Sequence, residues 1–376
     1  MDFEFSEEEK SVSELARKIL GELVTHDRLK SLETSGEVLD GDAWKALAEA
    51  NLLGVAIPES QGGMELGYAA LCLLCQEVGR SVAPVPVYAS LVLGALPLAE
   101  FGPEEDKAAW LPRVASGEIL LTAALSELDS TDPDSPTTRA ERVEAGFRLS
   151  GEKSLVPHAE QAARILVSAT TSEGPALFWV EPDAPGLRIE RQISSDGQPF
   201  GLLALDGVEL PESAVLGDVA GGAARLRWLV ERAIVARCAI QLGVTERALE
   251  MTAAYGRERV QFDRAIGSFQ AFHQRAADAY IEVESIRLTT WEAIWKLGHG
   301  HDARDSVHVA KFAAADSAAQ AAYACQHLHG GIGIDVDYPL HRYFKWATQI
   351  EHELGSARLQ LAALGDRIAA GEAAAF

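Results

Sequence analysis

The sequence predicts a mainly α-helical protein with a β-domain in its middle. Three observations predict it. Helical periodicity occupies the first third of the 376 residues; short apolar runs separated by proline, glycine and aspartate fill the centre; long helical segments then return and continue to the end. The division that follows is a helical N-terminal domain over 1–120, a small β-sheet or β-barrel domain over 121–217 and a C-terminal helical bundle over 218–376.

In the first part, Ser6 stands three residues before Glu9, the spacing of a capping box, and opens a helix over Val12, Leu15, Ala16 and Ile19. A second helix runs near Trp44 to Ala50. Ile57-Pro58-Glu59-Ser60-Gln61-Gly62-Gly63 reads as a turn, and a third helix spans Leu71 to Arg80, stopped by Pro84 and Pro86. In the middle part the strand candidates are Leu120–Ala123, Ile165–Val167, Leu177–Val180 and Leu202–Leu205. The acidic stretch from Glu127 to Glu144 reads as a flexible surface loop. In the last part Ile234, Cys238, Leu242 and Leu249 share one helix face, and the alanine-rich run from Val309 to Ala324 lets helices approach closely.

Composition excludes several functions. With 33 basic and 56 acidic residues, the net charge of -23 repels phosphate backbones and anionic membranes, so neither nucleic acid nor a membrane surface is an expected partner. The acidic start has the character of neither a signal peptide nor a membrane span, and no later stretch is apolar over a membrane-spanning length. Four cysteines are too few for a disulfide scaffold, so a cytoplasmic setting is expected. Cys72-x-x-Cys75 has no second pair and reads as core; His299, His301 and His308 read as a loop and a helix start rather than a metal site.

Two C-terminal stretches carry more. Tyr255 to Gln270 reads as a helix end with Arg257, Arg259 and Arg264, a turn at Gly267-Ser268, and a new helix. Guanidinium forks suit a pyrophosphate, although spacing alone favours a solvated basic helix terminus. His327-Leu328-His329-Gly330-Gly331-Ile332-Gly333 would permit close backbone approach to a ligand, and by itself also fits a plain turn.

Together, in this order, these stretches resemble the acyl-CoA dehydrogenase family. Asp2-Phe3, Trp44 through Leu53, Ile57-Pro58-Glu59, Trp110-Leu111-Pro112, Gly117-Glu118, Val208-Glu209-Leu210-Pro211 and Leu216-Gly217 extend the likeness over nearly the whole chain. The resemblance implies an α-domain, a β-domain and a four-helix bundle assembled into dimers or dimers of dimers, with FAD at a subunit interface. It implies that Arg259, Gln261, Phe262, Gln270, Gly330 and Gly331 face a neighbour's FAD, together with His327, which replaces the usual glutamine. It further implies α,β-dehydrogenation of an acyl-CoA substrate, with electrons passed to an electron-transfer acceptor.

The sequence departs from that family at the chemistry. With Gly355 matched to the family's glycine, Leu354 takes the place of the catalytic glutamate, and Glu353 comes one residue early. The alternative base position falls on Ala233, with Glu231 two residues off. After Gly151-Glu152-Lys153, the flavin-contacting aromatic and hydroxyl positions hold Leu155 and Pro157, and Ser126-Glu127-Leu128 lacks the family's pattern. No catalytic residue is therefore assigned to this chain. These losses, with Asp337 to Phe344, resemble the small subunits of α2β2 acyl-CoA dehydrogenases of actinobacterial steroid degradation, in which a homologous subunit supplies the base. The other readings are a homo-oligomer using Glu353 as a displaced base, and a flavin-free scaffold. Glu351 and Glu353 otherwise read as a solvated helix face.

Overall fold

The computed structural model describes residues 5–373, so the Asp2-Phe3 pair lies outside the described residues. The chain opens with α1 (Glu7–Leu23), α2 (His26–Ser35), α3 (Gly41–Glu49) and α4 (Gly67–Ser81). A π-helical stretch over Tyr88–Ala95 leads into α5 (Leu96–Phe101), and α6 (Glu104–Ala115) follows. The strands are β1 (Leu121–Ala124), β2 (Arg139–Val143), β3 (Gly146–Pro157), β4 (Arg164–Thr171), β5 (Gly174–Val180), β6 (Leu187–Ile193) and β7 (Pro199–Pro211). Then come α7 (Gly222–Glu258), β8 (Val260–Gln261), β9 (Arg264–Ala265), α8 (Gln270–Gly298), α9 (Arg304–His329), α10 (Leu340–His352) and α11 (Ala357–Ala369).

Helix α1 starts at the expected capping box: the Glu9 amide donates to Ser6 Oγ at 3.1 Å, and the Ser6 amide donates to the Glu9 carboxylate at 2.8 Å. It buries Val12, Ala16 and Leu20, whereas Leu15, placed on that stripe by periodicity, is 41% exposed. Helix α2 escapes periodicity because only Leu29 and Leu32 are buried on it. Thr25 caps its start, Gly36 at φ 76 ends it, and charge holds it in place: Glu33 accepts two bonds from Arg342, both of 2.8 Å.

The chain forms two compact units. One comprises the described residues up to Glu37, Cys72–Ala83 and the described residues from Ile234 onward. In it the later part of α4 meets the later part of α7 backbone to backbone. A Cβ on Gly79 would stand 2.0 Å from the Ile240 carbonyl, and one on Gly243 would stand 1.9 Å from that of Gln76. Only glycine fits at these two crossings. The face expected from Ile234, Cys238 and Leu242 is too narrow a description: α7 is buried on all sides from Ala233 to Glu246, as a bundle's central helix must be. The alanine-rich α9 buries Ala310, Ala314, Ala318 and Ala321.

The other unit comprises Val38–Leu71 and Pro84–Ala233. Its centre is a seven-stranded mixed sheet in the order β1-β4-β2-β3-β7-β6, with β5 also paired to β4. β1 runs parallel to β4; β3 with β7 and β4 with β5 are antiparallel. The core of this sheet includes Phe147, Leu149, Ile165, Val167, Phe178 and Leu203. The expected runs lie in strands except for Leu120, which stands just before β1, and β2, β3 and β6 join them.

Candidate functional site

The basic segment after α7 is a hairpin. β8 and β9 pair Val260 with Ala265 and Gln261 with Arg264, and Phe262 (φ 52) and Asp263 (φ 60) occupy the turn between them. The turn expected at Gly267-Ser268 is a short 3-10 turn leading into α8; the chain has already reversed at 262–263. Aspartate tolerates a positive φ, but phenylalanine does not signal one, so sequence alone hides this turn. A bulky residue held in that region is strained, and Phe262 is also 87% exposed. The backbone anchors the hairpin from both sides: the Arg259 amide donates to the Tyr255 carbonyl at 2.9 Å, and the Ile266 amide donates to the Arg259 carbonyl at 2.8 Å.

Arg257, Arg259, Arg264 and Arg275 are exposed and, among the described residues, form no ion pair. In a chain with 56 acidic residues this is a net basic patch, with Glu258 and Asp263 the exposed carboxylates of the same segment. Arg264 lies 4.0 Å from the centre of the Phe269 ring, and Phe262 meets Phe269 edge-on at 6.2 Å. Gln261 and Gln270 are exposed beside them.

Helix α9 ends in the glycine loop. Gly330 has φ 65 and ψ -142, a conformation open essentially only to glycine. A Cβ at Gly330 or at Gly331 would meet nothing within 4 Å, so both glycines border open space. His327 projects from the last turn of α9 into a cleft of about 600 Å³, which is also lined by Ile266, Phe269, Phe272, Arg275 and Tyr323. The fold thus brings the arginine hairpin's exit and the α9 terminus to one concave surface. Phe272 and Arg275 were missed by motif reading; their three-residue spacing on one face of α8 was the available signal.

The segment around Leu354 corrects the sequence reading. Helix α10 ends at His352, Glu353 is extended (ψ 138), and Leu354 (φ 54) and Gly355 (φ 101) form a turn. Helical rotation therefore does not decide where Glu353 points. Its side chain is not on a solvated face: it is 7% exposed, with Oε2 2.6 Å from Arg237 Nε and Oε1 accepting from Gln349 at 3.2 Å. A buried guanidinium needs a counter-charge, and Glu353 supplies it. Beside it the fully buried Lys311 ammonium donates to the carbonyls of Ile350 at 2.6 Å and Glu351 at 3.3 Å, closing the end of α10. Burial draws the Lys311 pKa down. Leu354 offers no proton acceptor, Ala233 is fully buried, and Glu231 is half-buried.

In the β-sheet unit, Leu155 is 38% exposed at φ 51, and Pro157 is buried with its carbonyl accepting from Thr122 at 2.7 Å. The stretch from Glu127 is not all surface loop. The Glu127 carboxylate accepts from Lys153 Nζ at 2.6 Å and from the amides and hydroxyls of Thr137 and Thr138, and β2 begins at Arg139. Burial works against the Glu127 charge, but the Lys153 ammonium and these bonds hold its pKa at about 2. Burial lowers that of Lys153 to about 8.

Cys72 and Cys75 are core residues, and burial pushes the Cys75 thiol up to about 12. His299 and His301 stack on Trp295, and His308 Nδ1 lies 2.8 Å from Gln360 Oε1. Among the described residues no group of three or more His, Cys, Asp or Glu could hold a metal ion, and no helix is long and apolar enough to cross a membrane.

Comparison with known proteins matches residues 6–118 to the acyl-CoA dehydrogenase N-terminal domain and residues 222–369 to the acyl-CoA dehydrogenase C-terminal domain. The chain is 36% identical to acyl-CoA dehydrogenase FadE27 of Mycobacterium tuberculosis, over 98% of this chain and 99% of that protein. Among solved structures it is similar to a variant of the Tcur3481-Tcur3483 steroid ACAD, at 44% identity and a TM-score of 0.92, covering 98% of this chain and 99% of that one. It is also similar to a chain of the ChsE4-ChsE5 complex from Mycobacterium tuberculosis, at 36% identity and a TM-score of 0.93 over 100% of both chains.

Proposed function

The chain belongs to the acyl-CoA dehydrogenase family, and from that premise we propose that it is one subunit of a two-subunit, FAD-dependent acyl-CoA dehydrogenase acting on a steroid side-chain CoA thioester. The observation that carries this reading is the contrast between its two kinds of site. The arginine hairpin, the His327 cleft and the open glycines face outward, and among the described residues the hairpin's arginines form no ion pair. The position of the base holds Leu354, and the neighbouring Glu353 is tied to Arg237.

FAD fits the outward-facing half. Guanidinium forks at Arg259 and its neighbours match pyrophosphate oxygens, and the missing Cβ atoms at Gly330 and Gly331 leave room for a phosphate to approach the backbone. Phe262 and Phe269 offer ring faces, and Gln261, Gln270 and His327 offer hydrogen bonds. When bound, the flavin supplies the redox chemistry by accepting hydride from the β-carbon. This chain's residues hold and orient the cofactor; the carboxylate that takes the α-proton comes from a homologous partner in an α2β2 assembly, and an electron-transfer acceptor reoxidises the whole. Names of the similar structures support the pairing and the substrate class, since ChsE4-ChsE5 is a complex and Tcur3481-Tcur3483 is called a steroid ACAD.

The test is to purify the chain alone and co-expressed with a homologous partner, and to record flavin content and acyl-CoA-dependent dye reduction. Flavin and activity appearing only with the partner are expected. A stoichiometrically yellow, active chain on its own would favour the homo-oligomer, and a colourless complex would favour the scaffold; either overturns the proposal.

A further inference from the structure

His329 lies within the glycine-loop stretch but is not among the residues expected to face the ligand. It is 4% exposed, at the last position of α9 immediately before Gly330. Its Nδ1 is 2.8 Å from the Cys325 carbonyl, which can only accept, so Nδ1 carries the proton. Nε2 is then an acceptor, and the Tyr338 hydroxyl donates to it at 3.1 Å. Both ring nitrogens of a neutral imidazole are thereby satisfied, which fixes the ring's tautomer and orientation.

The flat face of that ring stacks on Tyr255, with centroids 4.6 Å apart and planes 18° from parallel. Tyr255 is the residue whose carbonyl receives the Arg259 amide, the first bond of the arginine hairpin. Tyr338 lies on the other side of the glycine loop, and its carbonyl lies 2.7 Å from His341 Nδ1. From outside, α2 holds the same segment: Lys30 pairs with Asp337, and Glu33 pairs with Arg342. One imidazole therefore touches the stem of the hairpin, the start of the glycine loop and its end.

We infer that His329 is a positioning residue: stacked on Tyr255 and hydrogen-bonded to Cys325 and Tyr338, it couples the arginine hairpin to the Gly330-Gly331 loop so that both can engage one dinucleotide pyrophosphate. The inference rests on the FAD reading for its ligand, but the coupling itself is a property of the chain without ligand. Tyr255 and Tyr338 share the role, Tyr255 through its ring face and Tyr338 through its hydroxyl.

Two measurements separate the coupling from the cofactor. The first is hydrogen–deuterium exchange on the flavin-free chain, comparing wild type with His329→Leu and with Tyr338→Phe, which deletes one hydroxyl and keeps the ring. Faster exchange is expected jointly in residues 259–266 and 330–338, by ~10-fold in His329→Leu and less in Tyr338→Phe, with other segments unchanged. Loosening of the glycine loop with an unchanged hairpin would refute the coupling, whether or not flavin binds. If His329→Leu fails to fold, Tyr338→Phe and Tyr255→Leu make the same comparison.

The second measurement is FAD affinity of the deflavinated two-subunit complex. A ~10-fold weaker Kd is expected in His329→Leu, with kcat at saturating FAD within about twofold of wild type. A lowered unfolding temperature with unchanged Kd would mark the residue as merely structural and sink the inference. A wild-type complex that binds no FAD would instead sink the functional reading, leaving the exchange result to judge the coupling.

Discussion

Replacing Lys153 with methionine removes the ammonium from a closed polar site in the β-sheet unit. Lys153 and Glu127 side chains are 0% and 2% exposed, with Nζ and Oε1 2.6 Å apart. Methionine keeps most of the lysine stem's volume, so packing changes little and the effect is mainly electrostatic. Removing one partner of a buried pair costs ~3–5 kcal/mol, because the other charge stays buried without its counter-ion. Here the stranded Glu127 keeps its bonds from the amides and hydroxyls of Thr137 and Thr138, which places the loss near the lower end, ~3 kcal/mol. For the β-sheet unit unfolding on its own, that corresponds to a fall in Tm of roughly 6–12 °C. The assay is urea unfolding followed by tryptophan fluorescence, with Trp179 on β5 as a reporter inside the same sheet. The double variant Glu127→Met with Lys153→Met should lose less than Lys153→Met, since no charge is left unpaired. A loss below ~1 kcal/mol for the single variant would refute the reasoning, as would a double variant worse than the single.

Four further outcomes follow from the geometry. Glu353→Gln in the two-subunit complex should leave kcat within about twofold of wild type, because its carboxylate serves Arg237; a loss of ~10²–10⁴ would make it the base after all. Arg259→Gln should weaken FAD binding ~10- to 100-fold, the value of a charge-assisted hydrogen bond, and should flatten its salt dependence, both measurable by titration of the deflavinated complex. Gly243→Ala should destabilise by at least ~1–3 kcal/mol, because its Cβ would enter the Gln76 carbonyl, whereas Gly21→Ala on open α1 surface should stabilise by ~0.5–1 kcal/mol in the same urea assay. Burial lowers the pKa of His329 and of His341, so the unfolded chain binds these protons more readily than the folded one. Their contribution is present above the ordinary histidine value of about 6.5 and is lost as pH falls below it; urea midpoints between pH 7.5 and 5.5 should therefore drop less in His329→Leu than in wild type.

Local signals were enough for much of the architecture. The capping box at Ser6 and Glu9 fixes a helix start through bonds between residues three apart, and the punctuated runs of the middle part mark strands because a half-buried pleated surface demands that spacing. The arginines and glycines of the candidate site were also legible as residue types, since their chemistry does not depend on where the chain goes. Long-range partners were not legible. Helix α2 has too few apolar residues to show itself, and it is held by Arg342, more than three hundred positions away. The reversal at Phe262-Asp263 hides behind a phenylalanine that the surrounding hairpin forces to positive φ.

Glu353 marks the divide most clearly. By sequence it is a carboxylate one residue from where a base would stand, and so it could serve as a base or as a solvated surface group. The choice was made by Arg237, which tertiary packing buries beside it on α7 and which needs a counter-charge. The same holds for His329, a member of the glycine-loop stretch given no role by sequence, whose position between Tyr255 and Tyr338 exists only once three separate segments have met. Sequence determined the family, the succession of helical and strand-rich regions, and the residue types available to an anionic ligand, because these rest on local pattern and chemistry. Tertiary structure decided which charges are neutralised inside the chain and which are left facing outward, because a charge's role is set by its nearest partner and not by its place in the sequence.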